Sequence, residues 1–181
     1  LSEGIEGFQC QGITIDDTVA RIPPTSRVIG IAAMFSGEWP NVRYLAERIR
    51  QRFPNALIVV GGEHATSLTE YCLRDCSVID ACIRGEGEHP MLELVECISQ
   101  DLDWRRINGI AYLDDDRYQE VSNVARIINI DKIPWPCWPE EYLEKFWAAG
   151  KSYGVQTERD MPLMVSRGCP FQCTFCSNPQ M

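Results

Sequence analysis

Three apolar runs, each followed by glycine-rich polar residues, alternate with segments of helical period, and this alternation limits the fold more than any other feature. Val28–Phe35 reads Val-Ile-Gly-Ile-Ala-Ala-Met-Phe, and Leu57–Val60 reads Leu-Ile-Val-Val. Continuous apolar runs of this kind are expected of strands buried on both faces. Val78–Ile83 is expected to be a third strand. Between the first two, Pro40 suits a first helical turn, and Val42, Leu45, Ala46, Ile49 and Phe53 recur at helical spacing until Pro54. Ser67 and Glu70 have capping-box spacing for a short helix through Leu73. Pro90 opens another helix, with Met91, Leu94, Val95 and Ile98 on one face. Strand and helix in this order predict βαβ units, hence an α/β fold with a doubly wound, Rossmann-like parallel sheet. Ligands of such sheets bind beyond the carboxyl ends of the strands. Those ends are Phe35-Ser36-Gly37, Gly61-Gly62-Glu63-His64 and Arg84-Gly85-Glu86-Gly87-Glu88. Their glycines let a ligand approach the backbone closely.

The flanks read differently. Ile13–Asp16 has the length of a short strand, and Pro23-Pro24 interrupts regular structure. Ile110–Leu113 and Tyr118–Val121, joined by Asp114-Asp115-Asp116-Arg117, predict a β-hairpin, with a further short strand at Arg126–Ile130. Ile133–Pro139 is proline-rich and reads as a stiff linker. Glu140–Ala149 predicts a helix stopped by Gly150. Leu163–Ser166 predicts a last strand leading into a cysteine-rich segment. For the aromatics Trp135, Trp138, Tyr142, Phe146 and Trp147, interdomain packing is the expected use.

Charge and cysteine usage narrow the function classes. The chain of 181 residues carries a formal charge of −9, against a large phosphate-tracking surface, so no nucleic-acid partner is expected. No apolar run approaches the ~20 residues that span a bilayer, so no membrane partner is expected. Leu1-Ser2-Glu3-Gly4 lacks the basic and apolar regions of a secretory signal. Nine unevenly spaced cysteines do not resemble a secreted disulfide framework, and a reducing cytoplasm is the expected location. Cys10, Cys72, Cys76, Cys82, Cys97 and Cys137 read as core or surface thiols.

The remaining cysteines stand together in Ser166-Arg167-Gly168-Cys169-Pro170-Phe171-Gln172-Cys173-Thr174-Phe175-Cys176. Thiolates with three and then two residues between them can surround one small inorganic centre, and thiolates are the usual ligands of iron–sulfur clusters. A zinc site is the alternative, although zinc prefers four closed ligands and His64 and His89 lie far upstream. Three unrelated thiols are the other alternative. The spacing, the aromatic before the last cysteine and the Arg-Gly-Cys-Pro lead-in resemble the radical S-adenosylmethionine superfamily. The resemblance implies a 4Fe–4S cluster on Cys169, Cys173 and Cys176. Its unique iron would bind S-adenosylmethionine and reductively cleave it to a 5′-deoxyadenosyl radical, with Phe175 packing near the adenine.

Upstream, Val59–Thr66, Asp80–Glu88, the Gly109-Ile110-Ala111-Tyr112 hairpin and the proline-rich linker resemble the cobalamin-binding branch of that superfamily. By this resemblance, Ser36, Gly61, Gly62, Glu63, Arg84, Gly85, Glu86 and Gly87 line a cobalamin site. It also implies a cobalamin-binding-like domain with its hairpin at 1–125, a linker with a short helix at 126–160, and the start of a radical barrel at 161–181. The signature Asp-x-His-x-x-Gly, which supplies a histidine lower ligand in other cobalamin proteins, is absent. The first strand and most of the first helix of the family's pattern are expected before Leu1.

The implied activity is radical C-methylation, or a related step driven by S-adenosylmethionine cleavage. A radical oxidative cyclase of the Mg-protoporphyrin ester type is the nearest alternative. A non-catalytic zinc or ligand-binding module is the alternative from another class. The implied partners are a small-molecule substrate and an electron donor such as flavodoxin or ferredoxin. No catalytic side chain is assigned, and the chain by itself is expected to be inactive.

Overall fold

Val28–Ala32 forms β1, the first strand of a five-stranded sheet whose order follows the chain, β1-β2-β3-β4-β5. The computed structural model describes residues 13–121, 127, 129–153, 159–163 and 166–176. The other strands are β2 (Leu57–Gly61), β3 (Ala81–Ile83), β4 (Ile110–Asp114) and β5 (Arg117–Glu120). Five helices accompany them: α1 (Ile15–Arg21), α2 (Trp39–Arg52), α3 (Glu63–Ser67), α4 (Thr69–Asp75) and α5 (Glu88–Ser99). The β1–β2 and β2–β3 pairs are parallel, and β3–β4 and β4–β5 are antiparallel. The fold is therefore the expected Rossmann-like α/β arrangement, extended by an antiparallel hairpin.

Strand alternation distributes the core to two faces. Ile29, Ile31, Ile58, Val60, Cys82 and Ala111 pack with Val42, Ala46 and Ile49 of α2 and Cys72, Leu73 and Cys76 in and just after α4. On the other face, Val59, Ala81, Ile83 and Ile110 pack with Leu94 of α5, Trp104 and Ile107. Burial raises the pKa of the Cys72 thiol to about 12, and desolvation also pushes up Cys76 and Cys82.

Arg50 fastens the far end of this layer. Its Nη1 donates to the carbonyls of Phe53, Pro54 and Ala56 at 3.4, 3.0 and 2.7 Å. Its Nη2 donates to Val78 O at 3.0 Å and Asp80 Oδ2 at 2.6 Å, and the same carboxylate oxygen accepts Ile58 N–H at 2.7 Å. One guanidinium thereby ties the end of α2 to the entries of β2 and β3. The hairpin turns through Asp115 and Asp116 with φ of 45° and 62°, the left-handed pair of a two-residue turn.

Three local expectations are corrected. Ile13–Asp16 is not a strand. Thr14 accepts the Asp17 N–H at 3.0 Å as an N-cap, and α1 begins at Ile15, with Val19 buried toward the core. Ser67 does not cap a helix but ends α3. A break at Leu68 (φ −128°, ψ 41°) separates α3 from α4. At the end of the predicted Arg126–Ile130 strand, Ile130 instead begins a 3₁₀ turn through Lys132, whose entry Asn129 caps by accepting Asp131 N–H. Arg126 and Ile128, Met164 and Val165 of the predicted last strand, and Cys10 lie outside the described residues.

The chain divides into two units, Leu1–Ile127 with Cys173–Met181, and Ile128–Gln172. The second contains α6 (Tyr142–Ala148), shorter than the expected 140–149. Its aromatics stack on one another. Trp138 lies 5.7 Å from Tyr142, Tyr142 6.2 Å from Phe146, and Phe146 4.4 Å from Tyr153, between ring centroids. Trp147 Nε1 donates to Asp160 O at 2.8 Å, while Trp135 is exposed. No helix among the described residues is long and apolar enough to cross a membrane.

Candidate cofactor-binding edge

The carboxyl ends of β1, β2 and β3 are cross-tied by short hydrogen bonds. Ala33 N donates to Gly61 O at 2.7 Å, and His64 N donates back to Ala33 O at 3.1 Å. Between them Gly62 has φ 105° and ψ −179°, a region essentially confined to glycine. A Cβ at Gly62 would stand 2.7 Å from Ala33 O and 3.0 Å from Met34 Sδ. The strand ends thus close on each other without room for a side chain.

The third loop is tied in by Thr66. Its hydroxyl accepts Gly85 N–H at 3.0 Å, and Thr66 is buried on α3. Gly85 takes φ 77°. Arg84 N donates to Gly109 O at 2.8 Å, and its guanidinium pairs with Glu120 at 2.9 Å, where Tyr118 OH also donates at 2.8 Å. The Glu86 carboxylate accepts the Ile127 N–H. Gly87 O receives Met91 N–H at 2.9 Å, at the start of α5. Glu63 is the first residue of α3, directly after Gly62.

Ser36 opens a 3₁₀ turn through Glu38 and is exposed, whereas His64 is buried at 4% exposure. Ser36 Oγ and His64 Nδ1 lie 2.9 Å apart. The imidazole packs on Trp39 with centroids 5.1 Å apart. Trp39 is held in turn by its Nε1–H to Asp75 Oδ2 at 2.9 Å, an acceptor shared with Arg43 at 3.1 Å. Burial lowers the pKa of His64, which favours a neutral ring.

Reading the sequence as loops missed three contributions to this edge. His64 is not an ordinary loop residue but a buried member of α3. Thr66 carries no motif, and only the fold reveals its grip on Gly85. Met34 and Phe35 do not belong to β1. The last β1–β2 pair is Ala32 with Gly61, and the longer apolar run overshoots its partner, leaving Met34 and Phe35 exposed at 46% and 67%. That overshoot was visible in the unequal lengths of the two runs.

The edge therefore combines an exposed hydroxyl at Ser36, strand ends drawn together at Gly62, and two exposed apolar side chains, Met34 and Phe35. A large cofactor with an apolar ring and a polar rim fits this set of groups. The cysteine segment offers a different chemistry. Cys169, Cys173 and Cys176 are all exposed, and Cys176 N donates to Cys173 O at 3.1 Å across a turn. Phe175 in that turn is 92% exposed. Among the described residues, no group of three His, Cys, Asp or Glu side chains is gathered as metal ligands. The donor chemistry nonetheless suits iron, because three accessible thiols are the soft ligands a cluster uses.

The sheet is parallel through β1, β2 and β3 and covered by helices, an α/β domain, and residues 6–95 match the B12 binding domain family. Over those residues the chain belongs to the B12 binding domain family. An uncharacterized methyltransferase of Pyrococcus horikoshii is 35% identical over 83% of this chain and 31% of its own length. An anaerobic magnesium-protoporphyrin IX monomethyl ester cyclase of Cereibacter sphaeroides is 35% identical over 68% of this chain and 20% of its own. The solved radical S-adenosylmethionine methyltransferase TsrM of Kitasatospora setae, with cobalamin and a [4Fe-4S] cluster bound, shares the fold with a TM-score of 0.60. That match has 18% identity and covers 92% of this chain and 33% of that one. The chain thus spans about a third or less of the length of these relatives.

Proposed function

We propose that this chain is the cobalamin-binding portion, with the cluster-binding loop, of a radical S-adenosylmethionine enzyme that carries out C-methylation or a closely related radical transformation. One observation carries the reading. A B12 binding domain match over residues 6–95 and a Cys-x3-Cys-x2-Cys segment of exposed thiols occur in the same chain.

In this reading Gly61 and Gly62 line the cofactor site, with Gly62 letting the strand ends close beneath it, and Ser36 hydrogen-bonds its polar rim. Met34 and Phe35 shield its apolar ring from water. Thr66 fixes the Arg84–Gly87 loop beside it through Gly85, and Glu63 stands at the same edge. Cys169, Cys173 and Cys176 ligate the cluster, and Phe175 packs against the adenine of S-adenosylmethionine. When bound, the reduced cluster supplies the electron that cleaves S-adenosylmethionine, and cobalamin supplies a methyl carrier. The electron comes from a small donor such as flavodoxin or ferredoxin, and the acceptor is a small molecule. The likeness to the ester cyclase supports an oxidative ring-forming step as the second reading.

Anaerobic reconstitution with iron and sulfide tests the cluster. The expected product is brown, with about four irons and four sulfides per chain. Titration with hydroxocobalamin, followed in the visible spectrum, is expected to saturate at one cofactor per chain. Colourless protein carrying one zinc and binding no cobalamin would overturn the proposal in favour of a zinc or ligand-binding module.

A further inference from the structure

The chain has two histidines, and they differ sharply in setting: His89 is exposed, while His64 is 4% exposed. The backbone N–H of His64 is fixed on Ala33 O, and its ring is fixed against Trp39. Nδ1 meets Ser36 Oγ at 2.9 Å. Nε2 is buried and has no hydrogen-bond partner among the described residues.

A neutral imidazole carries one ring proton, so two arrangements compete. With the proton on Nε2, a buried N–H is left without an acceptor, and the Ser36 O–H turns inward to Nδ1. With the proton on Nδ1, that N–H donates to Ser36 Oγ, and Nε2 keeps only an unused lone pair. Orphaned buried N–H groups are rarer than under-used acceptors. The second arrangement is therefore favoured. It occupies a lone pair of the serine oxygen on the inner side and leaves the serine's own proton for the open edge.

We infer that His64 is a positioning residue: its Nδ1–H holds Ser36 as an outward-facing hydrogen-bond donor for an acceptor atom of the bound cofactor. The acceptor class is an amide carbonyl, a phosphate oxygen or an aromatic ring nitrogen. The inference rests on the cobalamin reading for the identity of the ligand, but the Ser36–His64 arrangement exists without it.

Two measurements on the chain test it. The first is the ring ¹⁵N spectrum of His64 at pH 7, assigned with a His89→Asn variant. The expected pattern is a protonated Nδ1 and an unprotonated Nε2, and a protonated Nε2 overturns the inference. The second is hydroxocobalamin titration of Ser36→Ala, His64→Leu, the double variant and His64→Asn, whose amide nitrogen overlies Nδ1. Each of the first two is expected to weaken binding about tenfold, the scale of one hydrogen bond, and the double variant no further. His64→Asn is expected to stay within about twofold of the unsubstituted chain. Multiplying losses, or unchanged affinity in His64→Leu, overturn the inference. If His64→Leu does not fold, a tenfold loss in His64→Asn overturns it and retained affinity supports it. If the unsubstituted chain binds no cobalamin, the cobalamin reading falls. The ring-nitrogen pattern then decides the Ser36–His64 arrangement alone.

Discussion

At position 62 a single missing methyl group decides how close two strand ends come. The Gly62 backbone lies at φ 105°, and the space its Cβ would fill is taken by Ala33 O at 2.7 Å. Gly37, in the neighbouring loop, has nothing within 4 Å of the same construction. Gly62→Ala is therefore expected to cost about 2–4 kcal/mol in denaturant unfolding, with reduced cobalamin affinity, while Gly37→Ala leaves both nearly unchanged. Equal effects of the two substitutions would contradict this account. The Gly61-Gly62 pair was conspicuous in the sequence, but which of the two has no room for a side chain was not, because the obstacle is a carbonyl 29 positions upstream. His64 was less legible still. A single histidine has no periodicity, and its partners Ser36 and Trp39 come from a 3₁₀ turn and the start of α2, far away in the sequence.

Among the elements, the buried strands were the easiest to read. The runs of β2 and β3 record burial on two faces, and the structure covers both, whereas β1 buries Ile29 and Ile31 on one face and leaves Gly30 and Ala32 exposed on the other. The short helices were harder. One turn of α1 rests on Thr14 accepting Asp17 N–H, and the α3–α4 break falls at Leu68, a residue with no helix-breaking chemistry of its own. What joins these elements is also invisible to periodicity, and Arg50 is the plainest case. It lies off the apolar stripe of α2, yet it holds four carbonyls and the carboxylate of Asp80. Arg50→Ala is expected to destabilise by about 2–4 kcal/mol in urea unfolding, since several acceptors lose their partner at once. Arg48→Ala, on the same helix, removes an exposed pair with Asp16 and is expected to leave the urea midpoint nearly unchanged. Similar losses for the two would show that the Arg50 bonds contribute no more than surface contacts.

In the whole molecule, the hydrophobic core and the Cys169–Cys176 segment draw on different residues. Cys169, Cys173 and Cys176 are exposed, and none belongs to either hydrophobic cluster. Replacing all three with alanine is expected to abolish iron incorporation, to change unfolding free energy by less than about 0.5 kcal/mol, and to leave cobalamin titration intact. Loss of cobalamin binding in that variant would count against separate roles. The contrast with the cysteines in the sheet and in and just after α4 has a further consequence. Cys72, Cys76 and Cys82 are kept as thiols by their apolar surroundings, and iron is captured by thiolates. Burial therefore works as a filter on metal delivery. Of the chain's nine cysteines, the core thus withholds Cys72, Cys76 and Cys82 from incoming iron, while Cys169, Cys173 and Cys176 stand open to it.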